Sequence, residues 1–220
     1  MNALRLAMLA CCALTAQYAT ASTPDGALIA QQGNGHGVAP CMACHAADGG
    51  GQAAAGFPRL AGLPRAYLRQ QLDAFADGSR TNATMQPVAN GLSDEEREAV
   101  ATYYSKLPVP PATPAPAPSA NARQLAQTLA THGRWSSGLP ACEQCHGPGA
   151  GGVGDDFPPL VGQSAVYLNN QLHAWQQGAR RNDPLQLMQT VASKLSEADM
   201  AAISAWYAAQ PATMAKEQQP

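Results

Sequence analysis

Cys41-Met42-Ala43-Cys44-His45 and Cys142-Glu143-Gln144-Cys145-His146 are two copies of one pentapeptide pattern, set 101 residues apart in a chain of 220. Outward from them the likeness continues. Phe57-Pro58-Arg59-Leu60-Ala61-Gly62 meets Phe157-Pro158-Pro159-Leu160-Val161-Gly162, and Tyr67-Leu68-x-x-Gln71-Leu72 with Gly78-x-Arg80 meets Tyr167-Leu168-x-x-Gln171-Leu172 with Gly178-x-Arg180. Met85-Gln86-x-Val88-Ala89 meets Met188-Gln189-x-Val191-Ala192, Leu92-Ser93 meets Leu195-Ser196, and Tyr103-Tyr104 meets Trp206-Tyr207. The offset changes only from 100 or 101 to 103, so small loop insertions separate the copies. Two repeats of this size are two domains and not a solenoid.

Both halves read as helical. Pro64 suits the first turn of a helix whose apolar face carries Leu68, Leu72 and Phe75 and which Gly78 stops; Leu168, Leu172 and Trp175 repeat this up to Gly178. Ser93-x-x-Glu96 and Ser196-x-x-Asp199 are capping-box patterns opening a last helix in each copy, with Val100, Tyr103, Tyr104 and Leu107 on one apolar face and Met200, Ile203, Trp206 and Tyr207 on the other. A short helix precedes each Cys pair, with Leu125 and Leu129 on one face in the second. No run alternates with period two, so the expected class is all-α: two tandem domains, residues 22–107 and 121–210. A linker over 108–120 carries Pro108, Pro110, Pro111, Pro114, Pro116 and Pro118, and a polar tail covers 211–220.

Residues 1–21 read as an export signal. Arg5 forms a short positive region, Leu6 to Ala16 is apolar but for Thr15, and Ala19-Thr20-Ala21 is a small-x-small cleavage site. Eleven apolar residues fall short of the about 20 that a membrane-spanning helix needs, and lipid attachment at Cys11 would leave almost no apolar region before the cleavage point. The reading is an exported chain without a transmembrane anchor, a state compatible with peripheral membrane association. Thirteen Lys and Arg against fifteen Asp and Glu, with no basic run, argue against nucleic acid or anionic lipid as the main partner.

Of six cysteines, Cys11 and Cys12 leave with the signal, and in an exported protein the remaining four first suggest disulfides. That leaves the following histidine unexplained twice. A thioredoxin-like pair needs a preceding strand, and a zinc site needs further ligands that His36 and His132 do not supply at matched positions. Cys-x-x-Cys-His is instead the attachment pattern for haem c. Two thiols three residues apart on one helical turn each add across a haem vinyl group, and the adjoining histidine is held beneath the iron. Two covalently bound haem c groups are expected, on Cys41 and Cys44 and on Cys142 and Cys145, with His45 and His146 as proximal ligands. The composition agrees: aromatics are only 5% of the chain, and a macrocycle supplies the large apolar body that each core otherwise lacks.

The sixth ligand decides between chemistry at an open iron and electron transfer at a closed one. After His45 the first half has one methionine, Met85. In the second half only Met188 sits at the repeat-equivalent place; Met200 lies on an amphipathic helix as core, and Met214 in the tail. Met85 and Met188 are the expected axial partners of His45 and His146, and a thioether favours ferrous iron.

This series of motifs resembles the class I cytochromes c, and its tandem form behind a signal peptide resembles the dihaem cytochrome c4 family over nearly all of the mature chain. The resemblance implies two cytochrome domains related by a pseudo-two-fold with haem edges facing, a bacterial periplasmic location, and electron delivery towards a terminal oxidase. It also implies that Pro58 and Pro158 carbonyls accept from the histidine rings, and makes Arg80 and Arg180 candidates for a haem propionate, against a plain reading as solvated helix-end charges. The Pro/Ala-rich linker departs from the pattern and would loosen the contact between domains. The expected function is a one-electron carrier with no catalytic residues, exchanging electrons with redox protein partners: a membrane oxidase or quinol-oxidising complex, and soluble donors. The alternative is the dihaem subunit of a periplasmic dehydrogenase complex, for example one oxidising sulfide through a flavoprotein. A dihaem peroxidase would need an iron able to lose its sixth ligand.

Overall fold

The computed structural model describes residues 23–111 and 117–212; the expected signal segment, the middle of the linker and most of the tail, Met214 included, lie outside that range. Helix α1 (Gly26–Gln32) opens on Asp25, whose carboxylate accepts from the Ala27 and Leu28 amides. A single turn, α2 (Met42–His45), carries the first Cys-His motif. Three further helices, α3 (Arg65–Ala76), α4 (Met85–Asn90) and α5 (Asp94–Lys106), complete the first half. The second half repeats the order as α6 (Ala120–Thr131), α7 (Glu143–His146), α8 (Ala165–Gln176), α9 (Leu187–Ser193) and α10 (Glu197–Ala208). Among the described residues the only β pairing is a few isolated bridges.

Both capping boxes form. Ser93 and Glu96 exchange bonds at the start of α5, as do Ser196 and Asp199 at the start of α10. Pro64 stands one place before the first residue of α3, as its cap, and the left-handed Gly78 and Gly178 follow α3 and α8. In the first half α5 packs on α1 and α3, and α3 on α4; in the second, α10 packs on α6 and α8, and α8 on α9. The apolar faces point as the sequence predicts: Val100 and Tyr104 are buried in one copy, and Met200, Ile203 and Tyr207 in the other. Met200 is fully buried, which suits its reading as core.

Gly62 and Gly162 occupy matched left-handed positions where each N–H bonds a carbonyl near the end of the last helix, Tyr104 or Tyr207, at 3.0 Å. A Cβ at Gly62 would run into Val109, and one at Gly162 into Ala212. The chain leaving each domain therefore folds back over this turn, which only glycine makes without strain.

The halves meet directly, contrary to the loosening expected from the linker. Contact is made by residues within α3 and α8 and in the segments before and after them, so the linker composition does not govern it. Arg80 and Arg180 form an antiparallel bridge, flanked by Thr81 N–H to Ala179 O at 2.8 Å and Arg181 N–H to Ser79 O at 2.6 Å. This exchange is reciprocal and gives the two halves their pseudo-two-fold.

Candidate haem sites

Each Cys-His turn is held by its own backbone. The His45 amide bonds Cys41 O at 2.9 Å and the His146 amide bonds Cys142 O at 3.0 Å, which places both thiols and the imidazole on one turn. All four cysteines among the described residues, Cys41, Cys44, Cys142 and Cys145, are unpaired. Burial pushes the Cys142 thiol up to about 11 and the Cys41 thiol upward as well.

Both histidines are buried and wait as neutral imidazoles, because burial lowers their pKa below the ordinary value. His45 Nδ1 lies 3.0 Å from Pro58 O, and His146 Nδ1 lies 2.8 Å from Pro158 O. A carbonyl only accepts, so Nδ1 carries the proton in each ring and Nε2 keeps its lone pair. That is the tautomer a metal ligand needs, with its ring fixed by an outer contact. Phe57 and Phe157 stand edge-on to these rings at centroid distances of 6.4 and 6.1 Å.

In the second half a cavity of ≈ 490 Å³ has Cys142, Cys145 and His146 on its lining together with Met188. The remaining lining is mainly apolar, with Leu168, Leu172, Trp175 and Ile203 prominent. Its size falls in the range of about 300–1,000 Å³ typical of cofactor sites. Thiols, a neutral imidazole and a thioether around one apolar space are the donor set that a haem c requires, so the residues fit the group.

Met85 and Met188 each occupy the start of a short helix. The Met85 amide donates to Asn82 Oδ1 at 2.9 Å, and the Met188 amide to Asp183 Oδ2 at 2.6 Å. Asn82 and Asp183 thus hold the loops that present the two methionines. They stand three residues before Met85 and five before Met188, so comparison of the two copies does not align them and sequence reasoning missed both. Both methionine side chains are half-buried.

Arg80 and Arg180 are buried and not solvated. Arg80 donates to Gln71 Oε1 at 3.0 Å, to Tyr167 OH at 2.8 Å and to Gln171 Oε1 at 2.6 Å. Arg180 mirrors it, donating to Gln171 Oε1 at 3.0 Å, Gln71 Oε1 at 2.8 Å and Tyr67 OH at 3.3 Å. Arg180, Tyr67, Tyr167, Gln71 and Gln171 also line the cavity, so this polar cluster borders the site from both halves.

Residues 30–108 match the family described as Cytochrome c. The chain is 53% identical over 179 residues to the thiosulfate dehydrogenase electron acceptor of Thiomonas intermedia strain K12, covering 81% of this chain and 82% of that relative. Among solved structures, the thiosulfate dehydrogenase TsdBA of Marichromatium purpuratum superposes with a TM-score of 0.79 at 42% identity. That match covers 85% of this chain and 40% of that one, so the present chain spans less than half of the other's length. Reduced cytochrome c4 of Pseudomonas stutzeri superposes with a TM-score of 0.70 at 34% identity, over 77% of this chain and 93% of that one.

Fold and site together define a c-type cytochrome of two tandem domains with two covalently bound haem c groups, an electron-transfer protein and not an enzyme. The chain belongs to the dihaem cytochrome c4 family.

Proposed function

We propose that this protein is a periplasmic one-electron carrier that takes electrons from a thiosulfate-oxidising dehydrogenase and passes them towards the respiratory chain. The observation that carries the choice of donor is the 53% identity, over most of both chains, to a protein named for accepting electrons from thiosulfate dehydrogenase. The reading joins the two alternatives drawn from the sequence. It keeps the carrier, and it makes thiosulfate the small reductant of the partner.

Within this reading His45 and Met85 hold one iron and His146 and Met188 the other, with Cys41 and Cys44, and Cys142 and Cys145, as the covalent anchors. The haem supplies a one-electron change at iron. The chain does the rest. Pro58 and Pro158 lock the imidazoles through Nδ1, Asn82 and Asp183 present the thioethers, and apolar walls exclude water, which lowers the reorganisation that accompanies each charge change. The interface of Arg80, Arg180 and their glutamine and tyrosine partners fixes the two sites relative to each other. The export segment read at residues 1–21, and the need to attach haem c after export, support the periplasm. No helix among the described residues is long and apolar enough to cross a membrane.

Mixing the oxidised protein with a catalytic amount of thiosulfate dehydrogenase and excess thiosulfate tests this reading. Full reduction of both haems, followed by their visible bands, is expected only when enzyme and substrate are both present. Failure to reduce, or equally fast reduction by thiosulfate alone, would contradict it.

A further inference from the structure

The two loops that carry the methionines differ in length and in charge. Met85 follows Arg80 by five positions and Met188 follows Arg180 by eight, so the second loop holds three additional residues. Asn82 and Asn182 take the same place after their arginines, yet only Asn82 serves its methionine, accepting from the Thr84 amide at 3.0 Å and the Met85 amide at 2.9 Å. Asn182 is drawn to the join instead. Its Oδ1 accepts from Arg180 Nε at 3.1 Å, and its Nδ2 donates to Gln71 Oε1 at 2.9 Å. In the longer loop the task passes to Asp183, whose Oδ2 accepts from the Met188 amide at 2.6 Å and whose carbonyl accepts from the Gln186 amide at 2.9 Å. A neutral amide thus holds one methionine and a carboxylate the other.

Asp183 also stands on the lining of the cavity that Cys142, Cys145, His146 and Met188 share. It is half-buried, where Asn82 is exposed. Among the described residues no cation forms an ion pair with it. Arg181 directs its guanidinium to Gly178 O at 2.8 Å and Gly78 O at 3.2 Å. Arg180 lies on the same lining, but Arg80 mirrors its contacts, so that pair belongs to both halves. The residues between Arg80 and Met85, Thr81 to Thr84, include no acid. Reduction of a ferric iron adds one electron, and a fixed anion held against the loop of its ligand disfavours that step. Partial burial limits how far solvent ions screen the effect. Asp156 lines the cavity too, in the place of Gly56, but it is exposed and makes no bond to a ligand loop.

We propose that the Asp183 carboxylate lowers the reduction potential of the second haem. The proposal rests on Met188 as the axial ligand of the second iron, as read above. Redox titration of the holoprotein with both haem waves resolved tests it, with the far-red sulfur-to-iron band recorded alongside. Asp183→Asn removes the charge and keeps an oxygen that accepts from the Met188 amide. It is expected to raise the ratio of reduced to oxidised iron at the second haem about threefold at fixed potential. That is a rise of about 28 mV, since a tenfold change is about 59 mV for a one-electron couple. The first potential should move little. Asp183→Glu keeps the charge and should stay near wild type. Asn82→Asp adds a charge to the first loop and should lower the first potential, by less because that site is exposed. Asp156→Asn should shift the second potential less than Asp183→Asn does. The proposal is overturned when Asp183→Asn moves neither potential, moves both equally, lowers the second, or has its shift matched by Asp156→Asn. Where Asp183→Asn loses the far-red band, Asn82→Asp decides: an unmoved first potential overturns the proposal. Met188→His marks the second-haem wave by displacing it, and displacement of neither wave would overturn the ligand assignment itself.

Discussion

Arg80 and Arg180 face each other in an antiparallel backbone bridge, two like charges brought together where the halves join. Their repulsion is offset in two ways. The Oε1 atoms of Gln71 and Gln171 each accept from both arginines, and each guanidinium lies over an aromatic ring of its own half, Phe75 at 4.4 Å and Trp175 at 4.5 Å. Burial, then the charge of Arg180, holds the Arg80 pKa below its ordinary value. The join is thus a polar network whose two glutamine acceptors each serve both sides.

Replacing either arginine by alanine takes one charged donor away from both glutamines and from one tyrosine hydroxyl. Each variant should lose about 2 kcal/mol of stability, the scale of a hydrogen bond to a charged group. Because the network is reciprocal, the two variants should lose similar amounts in urea unfolding. A negligible loss in either would show that the join carries little of the stability.

Asp199 accepts two bonds from the Arg134 guanidinium, at 3.0 and 2.6 Å, and a third from the Ser196 amide at 2.9 Å. Its side chain is 3% exposed. The Arg134 hydrogen bonds hold the Asp199 carboxyl below its ordinary value, and the Ser196 bond adds to them. A depressed carboxyl stabilises the fold above its unfolded pKa, and that contribution is lost as the pH falls through the folded value. Asp199→Asn should therefore cost about 2 kcal/mol at neutral pH, with the gap from wild type narrowing below about pH 4. Urea unfolding across this range checks the sign.

How much of this could be read from the sequence follows from which interactions are local. Cys-x-x-Cys-His, the capping boxes at Ser93 and Ser196 and the helix-stopping Gly78 and Gly178 act within a few residues, so spacing alone revealed them. The arginine network did not show, because Tyr67, Gln71 and Arg80 carry the same pattern whether they face solvent or their counterparts. Only the meeting of the halves turns them into partners. Arg59 and Gln163, which meet across the join where the Arg59 amide donates to Gln163 Oε1 at 2.9 Å, left a fainter trace: both are positions where the copies diverge, and a repeat comparison that weighs differences as heavily as matches would have singled them out.

Gly62→Ala and Gly162→Ala each force a side chain into a left-handed turn and against the returning chain. A strained residue of this kind costs about 1–3 kcal/mol. Thermal unfolding of either variant should show a lowered Tm with both haems retained.

Met85→Ala and Met188→Ala should each open one iron. Carbon monoxide titration of the reduced variants is expected to show one binding equivalent in each single variant and two in the double. No uptake in one of them would mean that another residue closes that iron.

The carrier proposal stands on His45 with Met85, and His146 with Met188, holding the two irons. Far-red absorption of the oxidised wild-type protein, where the sulfur-to-iron charge-transfer band lies, tests it most directly. Band intensity for two methionine-ligated irons per chain is expected. An absent band, or intensity for one iron only, would contradict it.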